Sequence, residues 1–251
     1  MACCGDECMM LQRQGWITWS SDEGVGPANA ITGWMKPPVN SRVRYLIVLC
    51  HGHGNDASGM MWLAERWAPH LPDAVFLSLN GWEPCVLHPG TRQWWSLRDR
   101  TPETDRAGAA RLGPVLAETI RIATAWLGLT AREVALVGFS QGAMSVLATG
   151  LFEESRRAGE VARAIVSIAG ALHLAEEASI PSADTMPAVL LLHGDQDDVV
   201  PLTRSMVADS RLKAMHVPVT LTILPGVGHE VTAEEADCAL AFIIRVLQAD
   251  A

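Results

Sequence analysis

No stretch of the sequence reaches the ~20 consecutive apolar residues that a membrane-spanning helix needs, so no stable membrane insertion is expected. Blocks of Lys and Arg are missing too. The 251 residues carry 19 Lys and Arg against 28 Asp and Glu, a formal charge of −9. Nucleic acid and anionic membranes select basic patches, so neither is expected as a partner. The amino end, MACCGDECMMLQRQGW, lacks a basic start followed by an apolar segment and carries Asp6 and Glu7. It does not read as a secretory signal, and a cytoplasmic location is the expectation. Paired cysteine motifs are also wanting. Cys3, Cys4 and Cys8 crowd the start, while Cys50, Cys85 and Cys238 are scattered. CCGDEC has no second ligand pair, so thiols are expected rather than a zinc site. A frayed terminus, or a true start at Met9, Met10 or Met35, accounts for that segment more simply.

What is present is a large apolar content. Hydrophobic residues make up 49% of the chain, which excludes wholesale disorder. A chain of this size removes roughly 70–75% of its unfolded surface from water. No internal repeat or break in composition divides it. Residues 1–25 are expected to be a poorly ordered N-terminal extension and residues 26–251 a single domain, as monomer or homodimer.

Six short apolar runs punctuate the sequence: YLIVLC (45–50), AVFLSL (74–79), VALVG (134–138), AIVSIAG (164–170), AVLLLHG (188–194) and VTLTILPG (219–226). Runs of this length without clean alternation read as strands buried on both faces, as in a parallel sheet. Helix-compatible segments separate them. One covers residues 105–129, with a kink or start expected at Pro114. Another closes the chain, where Thr232 and Glu235 form a capping box. GWITW and ITGWM, within residues 14–44, read as short edge strands. The alternation predicts a three-layer α/β domain, a mostly parallel sheet flanked by helices. Ligands of such sheets bind beyond the carboxyl ends of the strands.

Those ends carry the chemistry. Gly138-Phe139-Ser140-Gln141-Gly142 fits G-x-S-x-G between a strand and a helix. A nucleophile elbow has that context: a strained turn lifts the serine Oγ clear of the sheet, and residues two away must be small. The same residues also suit a glycine-rich turn whose serine caps the helix. A serine nucleophile needs a base, and here an acid and then a histidine follow it in the chain. HGDQDD offers Asp195, Asp197 and Asp198 after the fifth run, and GVGHE offers His229 after the sixth. His51 and His193, directly after strands, read as structural hydrogen-bonders. The oxyanion hole requires main-chain N–H groups, assigned to Gln141 and to His53 in the glycine-flanked His51-Gly52-His53-Gly54 turn.

LCHGHGND, GFSQGAM, LLHGDQDDVVP and GVGHE together resemble the phospholipase/carboxylesterase family of α/β-hydrolases, which includes the acyl-protein thioesterases. QWWSLRDRT is similar to a tryptophan-containing segment of bacterial members. The resemblance runs from about Gly26 to the C-terminus. It implies a triad of Ser140, Asp197 and His229, which selects Asp197 among the three aspartates. Asp195 is then left to stabilise its loop and Asp198 to face solvent. The family often has a hydrophobic or aromatic residue where His53 stands.

The activity implied is that of a serine carboxylesterase acting on short- to medium-chain acyl esters through an acyl-enzyme, without metal or organic cofactor. Acyl-protein thioesterase or lysophospholipase activity is the alternative, and a non-catalytic binder on the same fold is a rival. The loop 80–100 is expected to wall the pocket. Trp94 and Trp95 are read there either as apolar faces for substrate, with Leu97 beside them, or as anchors of the loop. Leu172 and His173, after the fourth run, are further pocket candidates.

Overall fold

The computed structural model describes residues 15–21, 30–175 and 186–249. Cys3, Cys4, Cys8, Met9 and Met10 lie outside the described residues. Each apolar run becomes a strand. In chain order the strands are β1 (Ile17–Ser20), β2 (Thr32–Lys36), β3 (Tyr45–Cys50), β4 (Ala74–Leu79), β5 (Glu83–Pro84), β6 (Arg92–Gln93), β7 (Val134–Phe139), β8 (Ala164–Ile168), β9 (Ala188–Gly194) and β10 (Val219–Leu224). An eight-stranded sheet has the order β1-β2-β4-β3-β7-β8-β9-β10, and β5 and β6 form a separate small hairpin. From β4 to β10 every neighbouring pair is parallel, whereas β1 and β2 join antiparallel at one edge.

Successive residues of a strand point to opposite faces, so each central strand feeds two cores. Leu46, Val48 and Leu136 pack on one side against α2 (Pro102–Trp126), α3 (Gln141–Leu151) and α5 (Thr203–Ala214). Ile47, Leu49 and Val137 pack on the other against α1 (Met61–Trp67) and α6 (Ala233–Leu247). A short α4 (Glu153–Arg156) follows α3. The three expected layers are present. Among the described residues no helix is long and apolar enough to cross a membrane.

Three local expectations are corrected. The helix before β7 does not start at Pro114. It starts at Pro102, where proline needs no hydrogen bond, under a Thr101–Thr104 capping box, and runs on through Pro114. The buried face of Leu112, Leu116 and Ile120 holds it continuous. The sheet begins inside the expected extension, because Trp16 is buried, its Nε1 donates to Glu65 Oε1 (2.7 Å), and β1 pairs with β2. β10 is not buried on both faces. It closes the sheet as an edge strand, with Thr220 and Ile223 exposed. The expected capping box does form, Thr232 Oγ1 accepting from the Glu235 N–H (3.1 Å) and Glu235 Oε2 from the Thr232 N–H (2.8 Å).

Candidate active site

β7 delivers Ser140 into a turn that few side chains tolerate. Its φ is 54° and ψ is −119°, outside the regions open to ordinary residues. The turn is tight enough that a Cβ on Gly138 would strike the Gly142 carbonyl, and one on Gly142 the carbonyls of Cys50 and His51. Glycine is therefore required on both sides. Ser140 occupies the N-cap position of α3, yet its side chain makes no capping bond. Its Oγ lies 2.9 Å from His229 Nε2 instead.

His229 stands in the loop between β10 and α6, its ring 4.9 Å from that of Phe139. Its Nδ1 lies 2.8 Å from Asp197 Oδ2. A carboxylate only accepts, so Nδ1 carries the proton and Nε2 is left as the acceptor facing Ser140. Asp197, in the loop after β9, is buried, and its Oδ1 accepts from the N–H groups of Val199 (2.9 Å) and Val200 (2.8 Å). Burial pushes this carboxyl up, but the bonds from His229, Val200 and Val199 outweigh that and hold it below its ordinary range.

A second histidine braces the same aspartate. His193 Nε2 lies 2.7 Å from the Val200 carbonyl, which fixes it as a donor, and 3.3 Å from Asp197 Oδ2. Its Nδ1 lies 2.7 Å from Ser205 Oγ, whose hydroxyl also reaches the Gly170 carbonyl (3.3 Å). The other aspartates part company as expected. Asp195 Oδ1 accepts from the Gly226 N–H (2.7 Å) and so ties its loop to the turn after β10, while Asp198 is exposed.

The turn after β3 approaches Ser140 from the other side. A Cβ on Gly52 would lie 3.4 Å from that of Ser140, so glycine permits close approach here. The main-chain N–H groups of His53 and Gln141 donate to nothing among the described residues. The Gln141 N–H is the first of α3, where the helix dipole favours negative charge. The His53 imidazole turns away to Cys85 Sγ (3.4 Å), and burial lowers its pKa. His51 is the structural hydrogen-bonder expected. Its Nε2 accepts from the Gly81 N–H (2.8 Å), so its Nδ1 donates to the Gly52 carbonyl (2.6 Å). Burial depresses it to about 4 and keeps it neutral.

The loop 80–100 is fastened to this site by contacts the sequence did not disclose. Gln141 Oε1 accepts from the Trp94 N–H (3.0 Å), and its Nε2 donates to the Trp95 carbonyl (2.8 Å). Trp94 Nε1 donates to the His51 carbonyl (2.8 Å), and Trp95 Nε1 to Asp105 Oδ1 (3.1 Å). Trp94 is 0% and Trp95 2% exposed, so the expectation of free apolar faces for substrate is corrected. Both indoles spend their surface in the core and anchor the loop. Leu97 and Leu172 are half-buried. The His173 ring meets Met144 Sδ (3.3 Å) and the edge of Trp95, and burial lowers its pKa against the pull of Asp105.

The Phospholipase/Carboxylesterase profile matches residues 38–247. Esterase YpfH of Escherichia coli (strain K12) is 32% identical over 196 residues, 78% of this chain and 80% of that protein. Acyl-protein thioesterase 1 of Neurospora crassa is 25% identical, over 84% of this chain and 90% of its own. The crystal structure of esterase PE8 superposes with a TM-score of 0.76 at 33% identity, covering 85% of this chain and 98% of that one. With residues 38–247 matched by the family profile and a relative 32% identical over 78% of its length, the chain belongs to the phospholipase/carboxylesterase family.

Proposed function

We propose that the protein is a serine carboxylesterase that hydrolyses short- to medium-chain acyl esters through an acyl-enzyme on Ser140. The hydrogen-bonded chain Ser140–His229–Asp197, at 2.9 and 2.8 Å, carries this reading. His229 Nε2 takes the Ser140 proton as Oγ attacks the ester carbonyl. Asp197 fixes the imidazole through Nδ1–H and stabilises its cation. The N–H groups of His53 and Gln141 receive the oxyanion, the alcohol leaves with the proton from His229, and water cleaves the acyl-enzyme by the same route. Leu97, Leu172 and His173 are the side chains proposed to border the acyl group.

Ser140→Ala is expected to lower p-nitrophenyl acetate turnover by several orders of magnitude, with circular dichroism and melting temperature preserved. A fluorophosphonate probe should label the parent chain and not the variant. Retained turnover in the variant overturns the triad, and failure of the parent to label favours a binder on the hydrolase fold. The likeness to acyl-protein thioesterase 1 supports thioester hydrolysis as a second reading, since the same acyl-enzyme serves both. A panel of matched esters and thioesters of increasing acyl length separates the two.

A further inference from the structure

We infer, on the esterase reading above, that Arg92 is a positioning residue for the reaction, which through Gly81 and His51 aims the Gly52–His53 peptide at the oxyanion. A trans peptide is planar, and its C=O and N–H point in opposite directions. Gly52–His53 is trans, so whatever fixes the Gly52 carbonyl also fixes the direction of the His53 N–H. His51 Nδ1 donates to that carbonyl at 2.6 Å. One tautomer alone permits this, because the Gly81 N–H donates to Nε2 (2.8 Å) and leaves the ring proton on Nδ1. The bond also polarises the peptide, which makes the His53 N–H a stronger donor.

Gly81 is held in turn by Arg92. Arg92 Nε donates to the Gly81 carbonyl (2.8 Å) and Nη2 to the Trp82 carbonyl (3.0 Å). A Cβ on Gly81 would lie 2.6 Å from the Gln93 carbonyl oxygen, so the two segments run in close contact. The main chain of Arg92 grips the far side of the oxyanion turn. Its carbonyl accepts from the Gly54 N–H (3.1 Å), and its N–H donates to the Asn55 carbonyl (2.7 Å). The Gly52–His53 peptide is thus held from before by His51 and from after by Gly54 and Asn55. Arg92 joins the two holds.

The guanidinium is half-buried and burial lowers its pKa, yet it forms no ion pair among the described residues. It is spent on main-chain carbonyls instead. Its charge has a further effect on the turn. His51 must stay neutral to accept from Gly81. Burial is the main cause that keeps it so, and the Arg92 charge works in the same direction.

Steady-state kinetics of the intact chain on p-nitrophenyl acetate test this. In Arg92→Ala, kcat and kcat/KM are expected to fall together by about 10–100-fold with KM nearly unchanged, as for an interaction made only in the transition state. Inhibition by an alkyl trifluoromethyl ketone, whose serine adduct carries an oxyanion, should weaken by a comparable factor. Arg92→Lys keeps one donor and should recover part of the loss. Arg98→Ala removes an exposed guanidinium of the same loop and should match the parent. If Arg92→Ala does not fold by circular dichroism, Arg92→Lys carries the comparison, with a lowered kcat at constant KM expected. Nitrogen-15 NMR of the parent chain at pH 7 needs no variant and should find His51 neutral with its proton on Nδ1. An unchanged kcat, a loss confined to KM, undiminished inhibition where kcat has fallen, or a His51 proton on Nε2 overturns the inference. Fluorophosphonate labelling separates this from failure of the esterase reading. A parent chain that does not label fails as an esterase, whereas a parent that labels, with Arg92→Ala turning over as fast, loses only the role of Arg92.

Discussion

Gln141 has two tasks at one position. Its main-chain N–H is the proposed oxyanion donor, whereas its side chain clamps Trp94 and Trp95, 47 and 46 residues away in sequence. Gln141→Leu separates them. The variant keeps the N–H but leaves the buried Trp94 N–H and Trp95 carbonyl without partners, at about 1–3 kcal/mol each. Urea unfolding should register a loss of about 2–6 kcal/mol. Fluorophosphonate labelling of Ser140 should survive, and kcat/KM should fall far less than in Ser140→Ala. An unchanged stability would show that the clamp is replaced by water. Ser140 and His229 were legible in the sequence beside turn signals at strand ends, whereas Asp197 was one of three aspartates until the family resemblance selected it. The Gln141 clamp and the bracing of Asp197 by His193 were not legible. Such contacts join loops that no periodicity relates, and a polar side chain in a buried helix start announces no partner.

The elbow is an element whose shape depends on two absent methyl groups. Alanine at Gly138 or Gly142 would meet main-chain carbonyls, which cannot swing aside as a long side chain does. Each substitution should therefore lie at the upper end of overpacking costs, about 3 kcal/mol, and should also displace Ser140 and suppress turnover. Gly90 is the control. Its φ is +89° but nothing lies within 4 Å of an added Cβ, so Gly90→Ala should cost only the left-handed strain of about 1–2 kcal/mol. Equal losses at Gly90 and Gly142, measured by thermal and urea unfolding, would refute the steric account. At this scale the parallel strands and the helices between them were legible, because apolar runs of strand length bounded by glycine have few other uses. The strand edges and helix limits were less so. Pro114 reads locally as a kink or a start, yet the helix runs through it with Leu112, Leu116 and Ile120 buried. β1 and β10 differ from the central strands by their place at the sheet edges, which a local pattern does not contain.

For the whole molecule, the buried histidines set how stability responds to acid. His51 is fully buried and titrates near 4 instead of its ordinary 6.5. The unfolded chain thus takes up a proton from pH 6.5 downward while the native chain refuses it, so stability falls with pH across that window. His53 and His173, lowered by burial as well, act with the same sign. Glu235 acts against them. Its carboxyl is raised, first by burial, so above its ordinary value of 4.5 it gives back some stability as pH falls. Asp197 contributes only lower down. Its stabilisation is complete above its ordinary value of 3.8 and is lost as pH drops through its depressed native value. Between pH 6.5 and 5 the histidines therefore dominate, and His51 alone is worth about 2 kcal/mol there. For a chain of this size that is a fall of about 4–8 °C in Tm. Calorimetric scans at intervals from pH 7.5 to 5 should show it, and His51→Gln should flatten the slope whatever it does to the absolute Tm. A Tm that holds constant or climbs over that range in the parent chain would mean that Glu235, not the ring beneath the proposed oxyanion loop, governs the acid response.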